Sequence, residues 1–151
     1  MKKFTFSLSR LQDFKTSLLD KEKLTLASLR VQLAQIEDEI SRVETQLAAL
    51  QREMQRITSE GTTVFDLKKI EYKIEASRAL LKELYEKRLI QQQRVEAQLR
   101  IVMGVKSEVS GLEKLREKQR EEYDYALKKE NDEIIGELVS GQFVRKSSHI
   151  N

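Results

Sequence analysis

The residues that most often carry out catalysis or hold metal ions are scarce in this chain. None of its 151 residues is Cys, and only His149 is histidine. Without Cys there is no thiol nucleophile and no cysteine-ligated zinc or iron–sulfur site. A single histidine leaves almost nothing from which to build a Ser-His-Asp triad or a multi-histidine metal site. We therefore expect no enzyme activity, no bound metal and no cofactor.

The remaining candidates for chemistry are weak. Residues 104–107 read GVKS, but they lack the preceding strand and the first glycine of a phosphate-binding loop. The 25 Asp and Glu residues are interspersed with 28 Lys and Arg residues, so we interpret them as a solvated helical surface and not as an acid/base pair. The same interspersion leaves no basic stripe for a nucleic acid. No motif indicates a small-molecule substrate.

The sequence also contains no predicted membrane span or leader. No stretch approaches the roughly 18 uncharged apolar residues that indicate a spanning helix. Arg10 and Asp13 interrupt any signal-peptide core after Lys2 and Lys3. We therefore expect the chain in the cytoplasm.

The composition is that of a long helix. Ala, Glu, Leu, Lys and Arg supply about half of the residues, there is no Pro, and the first glycine is Gly61. Apolar residues recur every seven positions in two rows offset by three, the pattern of a left-handed coiled coil. The rows are Leu19, Leu26, Leu33, Ile40, Leu47 and Met54, then Leu29, Ile36, Val43, Leu50 and Ile57. We predict one helix over about residues 5–58, which is roughly 80 Å long at its usual rise.

The helical pattern is interrupted once, around Gly61. The residues from Thr58 to Thr63 are poor helix formers, and Gly61 suits a left-handed C-terminal cap. Thr63 followed by Asp66 resembles a capping box, with Asp in place of the usual Glu or Gln. We therefore predict that one helix ends here and a second begins.

A short connection between two long amphipathic helices favours an antiparallel hairpin. The loop would cover about residues 59–63 and the second helix about residues 64–140. If both helices rise equally, the numbers of facing residues add to roughly 124, which places Val43 opposite Leu81. The apolar positions of the two helices then coincide, and this agreement supports the hairpin.

The predicted helices differ in length, so part of the second should lack a partner. By the same arithmetic the N-terminal start of the first helix lies opposite about residue 120. The segment from Glu121 onward therefore extends beyond it. We predict an all-α fold with a single coiled-coil domain over residues 1–151. It is a long two-helix antiparallel coiled-coil hairpin with a C-terminal helical overhang and a flexible tail over residues 141–151.

Several polar residues interrupt the apolar seam. Glu22 is either a device that fixes the register or a half-exposed side chain that reaches a Lys or Arg, and we favour the second interpretation. The second helix is interrupted by Gln91, Gln92, Gln93 and Gln98. They mark either a deformable layer or a weak spot of the kind that coiled coils tolerate, and we favour the weak spot.

Two regions carry apolar side chains outside the seam. Beside the loop, we expect Phe65 to pack across the connection. Tyr72 should point sideways, where it either packs or contacts another protein. The overhang carries a stripe that indicates a binding site, unless the segment folds back as a third helix. Its members are Tyr123, Tyr125, Ile134, Ile135, Leu138 and Val139.

Both ends of the chain contain recognisable runs. Residues 4–15 read FTFSLSRLQDFK, and residues 112–119 read LEKLREKQ, followed by Glu122-Tyr123 and by KENDE at 129–133. These runs resemble the aromatic-x-aromatic-x-Leu-x-x-Leu opening, the Glu-Lys-Leu-basic segment and the closing Asp-Glu of the FliJ family of flagellar type III export proteins. Ile134-Ile135 departs from the small residues that often follow that Asp-Glu.

The resemblance implies a non-catalytic component of the flagellar export apparatus, required for flagellum assembly and motility. FliJ-like proteins resemble the coiled-coil stalk of the rotary ATP synthase's gamma subunit. They bind and promote the ring of the flagellar export ATPase, couple it to the export-gate membrane protein, and assist export chaperones and their substrates. The resemblance further implies a peripheral location at the cytoplasmic face of the membrane, and a free form that is monomeric.

The resemblance also implies different partners for the two ends of the hairpin. Contacts with the ATPase ring are assigned to the terminal end, at Phe4, Phe6, Leu8, Leu11, Leu115, Tyr123, Asp132 and Glu133. Contacts with the export gate are assigned to the loop end, by position around Gly61, at Tyr72, Ala76 and Ala79.

The alternative hypothesis is a generic coiled-coil adaptor or a prefoldin-like holdase. Such a protein would form a stable oligomer through its tips or termini and would have no ATPase partner. Sedimentation separates the two hypotheses, because the export component is expected to be a monomeric rod.

Overall fold

The computed structural model describes residues 1–150, with side chains as far as residue 146. It contains two helices, α1 over Ser9–Glu60 and α2 over Val64–Ile150, of 52 and 87 residues. The two helices pack against each other, and no strand occurs in the described part of the chain. This confirms the prediction of an all-α helical hairpin.

The helix boundaries differ somewhat from those predicted. α1 begins at Ser9 and not near residue 5, because a turn over residues 7–8 precedes it, closed by a 3.1 Å hydrogen bond from the Ser9 amide to the Phe6 carbonyl. The connection contains only residues 61–63. α2 continues past residue 140, so the backbone of the predicted tail is helical through Ile150. The flexibility of that tail stays a prediction, and the side chain of His149 lies outside the described residues.

The connection between the helices has the local structure that its residues predict. Gly61 has a φ of 92°, the left-handed conformation that glycine adopts most readily. The Thr63 hydroxyl accepts a 3.2 Å hydrogen bond from the Asp66 amide, and the Thr63 carbonyl accepts the first helical bond from Leu67. Thr63 is therefore the N-cap of α2, and the Asp66 carboxylate lies in the first turn, where the helix dipole favours a negative charge.

Contacts between residues divide the chain into two units. The loop unit is Asp20–Gly104, and the terminal unit combines Met1–Leu19 with the chain from Val105 onward. Each unit contains a stretch of α1 and a stretch of α2.

The core of the loop unit combines residues of the two predicted apolar rows on α1 with apolar residues of α2. Ile40, Val43, Leu81 and Leu84 form a buried cluster, against which the partly buried Ile36 and Leu47 pack. Leu84 is the most buried, with 2% of its surface exposed. The predicted pairing of Val43 with Leu81 is confirmed, because both belong to this cluster.

Two buried glutamines form polar layers in the seam of the loop unit. The Gln91 amide donates hydrogen bonds to the Leu29 carbonyl at 3.0 Å and to the Gln32 side chain at 3.1 Å. The Gln98 amide donates to the Glu22 carbonyl at 3.1 Å and also to the Glu22 carboxylate. The expectation that Glu22 reaches a Lys or Arg is therefore wrong, because a buried amide across the seam supplies the donor.

The amide nitrogen of each buried glutamine donates two hydrogen bonds across the seam, so these layers are not a plain weak spot. Gln91 and Gln98 are seven residues apart, and so are the two α1 residues whose carbonyls accept from them, Leu29 and Glu22. If either helix slid by one turn, the amides would meet other backbone carbonyls but would lose their side-chain acceptors, Gln32 and Glu22. The layers therefore help to fix the register of the hairpin.

The terminal unit has a smaller core. Leu19, Val105 and Val109 are buried in it, together with Phe6 from the segment before α1. At the edge of this core the Lys15 ammonium lies 2.5 Å from the Glu108 carboxylate. In this unit α1 and α2 first pack through their apolar seam. α2 then continues past the N-terminal start of α1.

Candidate partner-binding surfaces

The residues before α1 pack along α2. The Tyr123 hydroxyl donates a hydrogen bond to the Lys2 carbonyl, and the Met1 amine lies 3.6 Å from the Glu130 carboxylate. The prediction that α2 lacks a partner from Glu121 onward is therefore wrong by about three turns. The arithmetic counted only helical residues as a partner, whereas a non-helical chain also covers α2 and advances further per residue than a helix does.

An aromatic cluster holds this N-terminal segment. The rings of Phe4 and Tyr123 are 5.6 Å apart and tilted by 55°, a favourable arrangement for two aromatic side chains. The Arg120 guanidinium lies 5.1 Å from the centre of the Phe4 ring and 5.9 Å from that of Tyr123. A cation over two ring faces is an additional attraction, so we name Phe4, Arg120 and Tyr123 the aromatic cluster.

The residues assigned to the ATPase ring occupy different environments. Phe6 is only 7% exposed and belongs to the core of the terminal unit. Phe4, Leu8 and Tyr123 are half-buried, whereas Leu11, Leu115, Asp132 and Glu133 are exposed. The structure brings Phe4 and Tyr123 together, as the two terminal runs suggested. Sequence reasoning missed Arg120, although its position three residues before Tyr123 places the two on neighbouring turns of α2.

The face of α2 that contacts the N-terminal segment continues beyond it. Tyr123, Glu130, Ile134 and Leu138 follow one another at spacings of seven, four and four, which keeps them on one side of a helix. We call Ile134, Ile135, Leu138 and Val139 the C-terminal stripe; each is between 48% and 63% exposed. Because α2 is continuous here, the alternative of a third helix that folds back is not what the chain adopts.

The C-terminal stripe lies in an acidic segment. Between Glu130 and Val144 there are four carboxylates and no Lys or Arg. At the 100° turn per residue of an α-helix, Glu133 and Glu137 lie on one edge of the stripe and Asp132 on the other. The stripe is therefore an amphipathic helical face with acidic edges.

At the loop end, two exposed rings flank the connection. Phe65 is 76% exposed, so the expectation that it packs across the loop is wrong; the connection is too short to supply a covering residue. Tyr72 is equally exposed and points away from the seam. Tyr72, Ala76 and Ala79 share one face of α2 and are all exposed, as the assignment to a partner requires.

A shallow groove runs beside Tyr72. Its lining residues come from both helices and are Gln46, Ala49, Leu50, Glu53, Tyr72, Lys73, Ala76 and Ser77. The Arg56 side chain donates hydrogen bonds to Glu53, which lowers the pKa of that carboxyl. The carboxylate at this edge of the groove is therefore ion-paired with Arg56.

The described side chains contain no group of three or more His, Asp or Glu placed to hold a metal ion. Within the same part of the chain, neither helix has a window apolar enough to cross a membrane. The candidate surfaces are the aromatic cluster, the C-terminal stripe and the Tyr72 groove.

Comparison with known proteins agrees with the two terminal runs. The family model described as FliJ, flagellar FliJ protein, matches residues 4–148. No curated protein and no solved structure matches the chain.

Proposed function

Since this chain belongs to the FliJ family and has a role in flagellar export, we propose that it is a non-catalytic component that binds and promotes the flagellar export ATPase. The match over residues 4–148 carries the proposal, because it includes the N-terminal segment, the aromatic cluster and the C-terminal stripe. In this role the protein supplies binding energy to a ring of ATPase subunits and leaves the chemistry to them.

The terminal unit is the part that we assign to the ATPase. The aromatic cluster fixes the N-terminal segment on α2, and the C-terminal stripe beyond it presents exposed Ile134 and Leu138 on one helical face. Leu11 and Phe14, which are 42% and 62% exposed, add apolar surface on α1. An amphipathic helix of this kind binds by laying its apolar face into a groove of its partner.

The loop unit is the part that we assign to the export gate. Tyr72 is a large exposed ring beside a groove, and such a ring is a good anchor for another protein. Ala76 and Ala79 continue the same face and allow a partner to approach closely. With one partner at each end, the protein couples the ATPase to the export-gate membrane protein at the cytoplasmic face of the membrane. Export chaperones would bind the same assembly.

The test is a clean deletion complemented with two variants that separate the ends. Ile134→Glu with Leu138→Glu should abolish or strongly reduce swarming and should reduce capture of the export ATPase from the same organism. Tyr72→Ala should reduce swarming but leave ATPase capture unchanged. Leu24→Glu with Val31→Glu is a matched control. These two apolar residues are also exposed, at 72% and 57%, but they lie on α1, outside the surfaces that we assign to the two partners. Wild-type swarming in the clean deletion would refute the proposal.

A further inference from the structure

One band of the loop unit buries two glutamines beside Leu26 and Val102 and carries several large apolar side chains on its outside. From Leu24 to Ile36 the only charged residue is Arg30, and residues 89–105 contain three charges, in a chain that is 35% charged. Gln91 and Gln98 occupy the seam here, while large apolar side chains face outward. The exposed ones are Leu24, Val31, Leu89, Ile90, Leu99, Ile101 and Met103. This band presents apolar surface that the hairpin itself does not cover.

Part of this surface forms a regular stripe on α2. Ile90, Ala97, Ile101 and Gly104 follow at spacings of seven, four and three, so they share one face; we call them the middle stripe. Ile90 and Ile101 are 50% and 49% exposed. A Cβ added at Gly104 would meet nothing within 4 Å. No contact within the described chain therefore explains a glycine in the middle of this helix, where alanine would be more favourable.

The middle stripe has basic edges. At 100° per residue, Arg94 lies on one edge of the stripe and Arg100 on the other. Both are exposed, and neither forms an ion pair with any side chain that the structure describes. The one acid of residues 89–105 is Glu96, which is further round the helix than Arg100. A partner helix would meet apolar side chains between two unpaired guanidinium groups.

We propose that a second copy of this chain docks its C-terminal stripe on the middle stripe. The two surfaces are complementary in kind: each is an apolar helical face, one with the acidic edges of Asp132, Glu133 and Glu137, the other with Arg94 and Arg100. Each chain carries both surfaces, so the contact needs no partner other than a second copy of the chain. Gly104 and Ala97 let the docked helix approach the α2 backbone closely.

The dimer is reversible and sensitive to salt. Each contact is one helix face against another, and its ion pairs are solvent-exposed, so both screening and dilution dissociate it. The monomer predicted from the sequence is then the form at low concentration. This inference does not depend on a flagellar role, since it uses only the chain itself. It does have a consequence for that role, because the dimer covers the stripe that we assign to the ATPase.

Sedimentation equilibrium on the purified full chain tests the proposal. The weight-average mass should rise from 17.7 kDa toward twice that value with concentration, and fall back at high salt. Arg94→Glu with Arg100→Glu should weaken association about tenfold or more, and so should Glu133→Lys with Glu137→Lys. An equimolar mixture of these two double variants should associate again, because each C-terminal stripe then meets a middle stripe of opposite charge.

A matched control reverses the same number of charges elsewhere. Lys68→Glu with Lys69→Glu, both exposed near the start of α2, should associate like the wild type. Circular dichroism checks that every variant keeps its helices. The proposal is overturned by a mass that stays at 17.7 kDa across the series, by an oligomer that does not dissociate on dilution, or by a mixture that associates no better than its components.

Discussion

The Tyr123 hydroxyl donates a hydrogen bond to the Lys2 carbonyl, 121 residues away along the chain. This contact, with the ring of Phe4 against that of Tyr123, ties the N-terminal segment to α2 before α1 begins. The N-terminal segment follows α2 as far as Glu130, whose carboxylate lies 3.6 Å from the Met1 amine. The contacts of the N-terminal segment with α2 stabilise the fold. The C-terminal stripe beyond them is the part that we propose for a partner.

Tyr123→Phe should loosen the N-terminal segment without unfolding the hairpin. The substitution keeps the ring stacked on Phe4 but removes one hydrogen bond, worth about 0.5–1.5 kcal/mol. Amide hydrogen exchange should therefore speed up in residues 2–8 and stay unchanged in the core of the loop unit. Tyr125→Phe is the matched control, since Tyr125 is 73% exposed. Equal exchange in the two variants would show that the bond does not hold the segment.

Leu84→Ala should be among the most destabilising single substitutions in the chain. Leu84 is 2% exposed within the Ile40, Val43 and Leu81 cluster, and truncation of a buried leucine typically costs about 2–5 kcal/mol. Urea unfolding followed by circular dichroism measures the change. Leu89→Ala, at a residue 57% exposed, should cost far less. A similar loss for both would mean that the core does not lie where the structure places it.

Gln91→Glu should destabilise the hairpin at neutral pH by about 1–3 kcal/mol. The new carboxylate would face the Leu29 carbonyl, which accepts a bond from the native amide. Burial should raise the pKa of this carboxyl in the folded state, so the lost stability returns as the pH falls through that raised value and the protonated group donates again. Unfolding at pH 7 and pH 4 measures this recovery. Gln92→Glu, at an exposed position, should show neither effect.

Glu44→Gln should bring the ionisation of Tyr85 back toward its ordinary range. The Tyr85 hydroxyl donates a 2.6 Å hydrogen bond to Glu44, and this bond raises the pKa of the phenol. Because the folded pKa is the higher one, the bond stabilises the fold below pH 10 and is lost as the pH rises through the raised value. The tyrosinate absorbance of the four tyrosines, titrated in wild type, E44Q and Y85F, isolates this group. Identical curves for wild type and E44Q would contradict the assignment.

The two apolar rows predicted the side of α1 that forms the core. Leu19, Leu26, Ile40 and Val43 belong to them, and all four are buried. A strict seven-residue repeat indicates which side of a helix faces its partner. The poor helix formers around Gly61 indicate where the chain reverses. Both signals are local and depend on side-chain type, so no partner or tertiary context was needed to interpret them.

Three features could not be predicted, because they depend on contacts that periodicity does not encode. They are the polar pairing in the seam, the path of the N-terminal segment and the exposure of Phe65. Glu22 has its donor in Gln98, 76 residues away, and a seam pattern gives no reason to pair two polar residues. The segment before α1 is not helical, so no helical repeat could place it against Tyr123. Phe65 was expected to be covered by the loop, but three residues cannot wrap around a ring. In each case the missing information is which residues cover a given side chain, and only the packed structure supplies it.

The part of α2 beyond Glu130 is the segment that we propose binds the export ATPase. The most direct measurement is isothermal titration of the purified ATPase with the full chain, with a chain truncated after Glu130, and with the Ile134→Glu, Leu138→Glu variant. The truncation keeps both partners of the Tyr123 bond and should stay folded by circular dichroism. We predict that both changes remove binding, while Leu24→Glu with Val31→Glu does not. Unchanged ATPase affinity in the folded truncation would contradict the account.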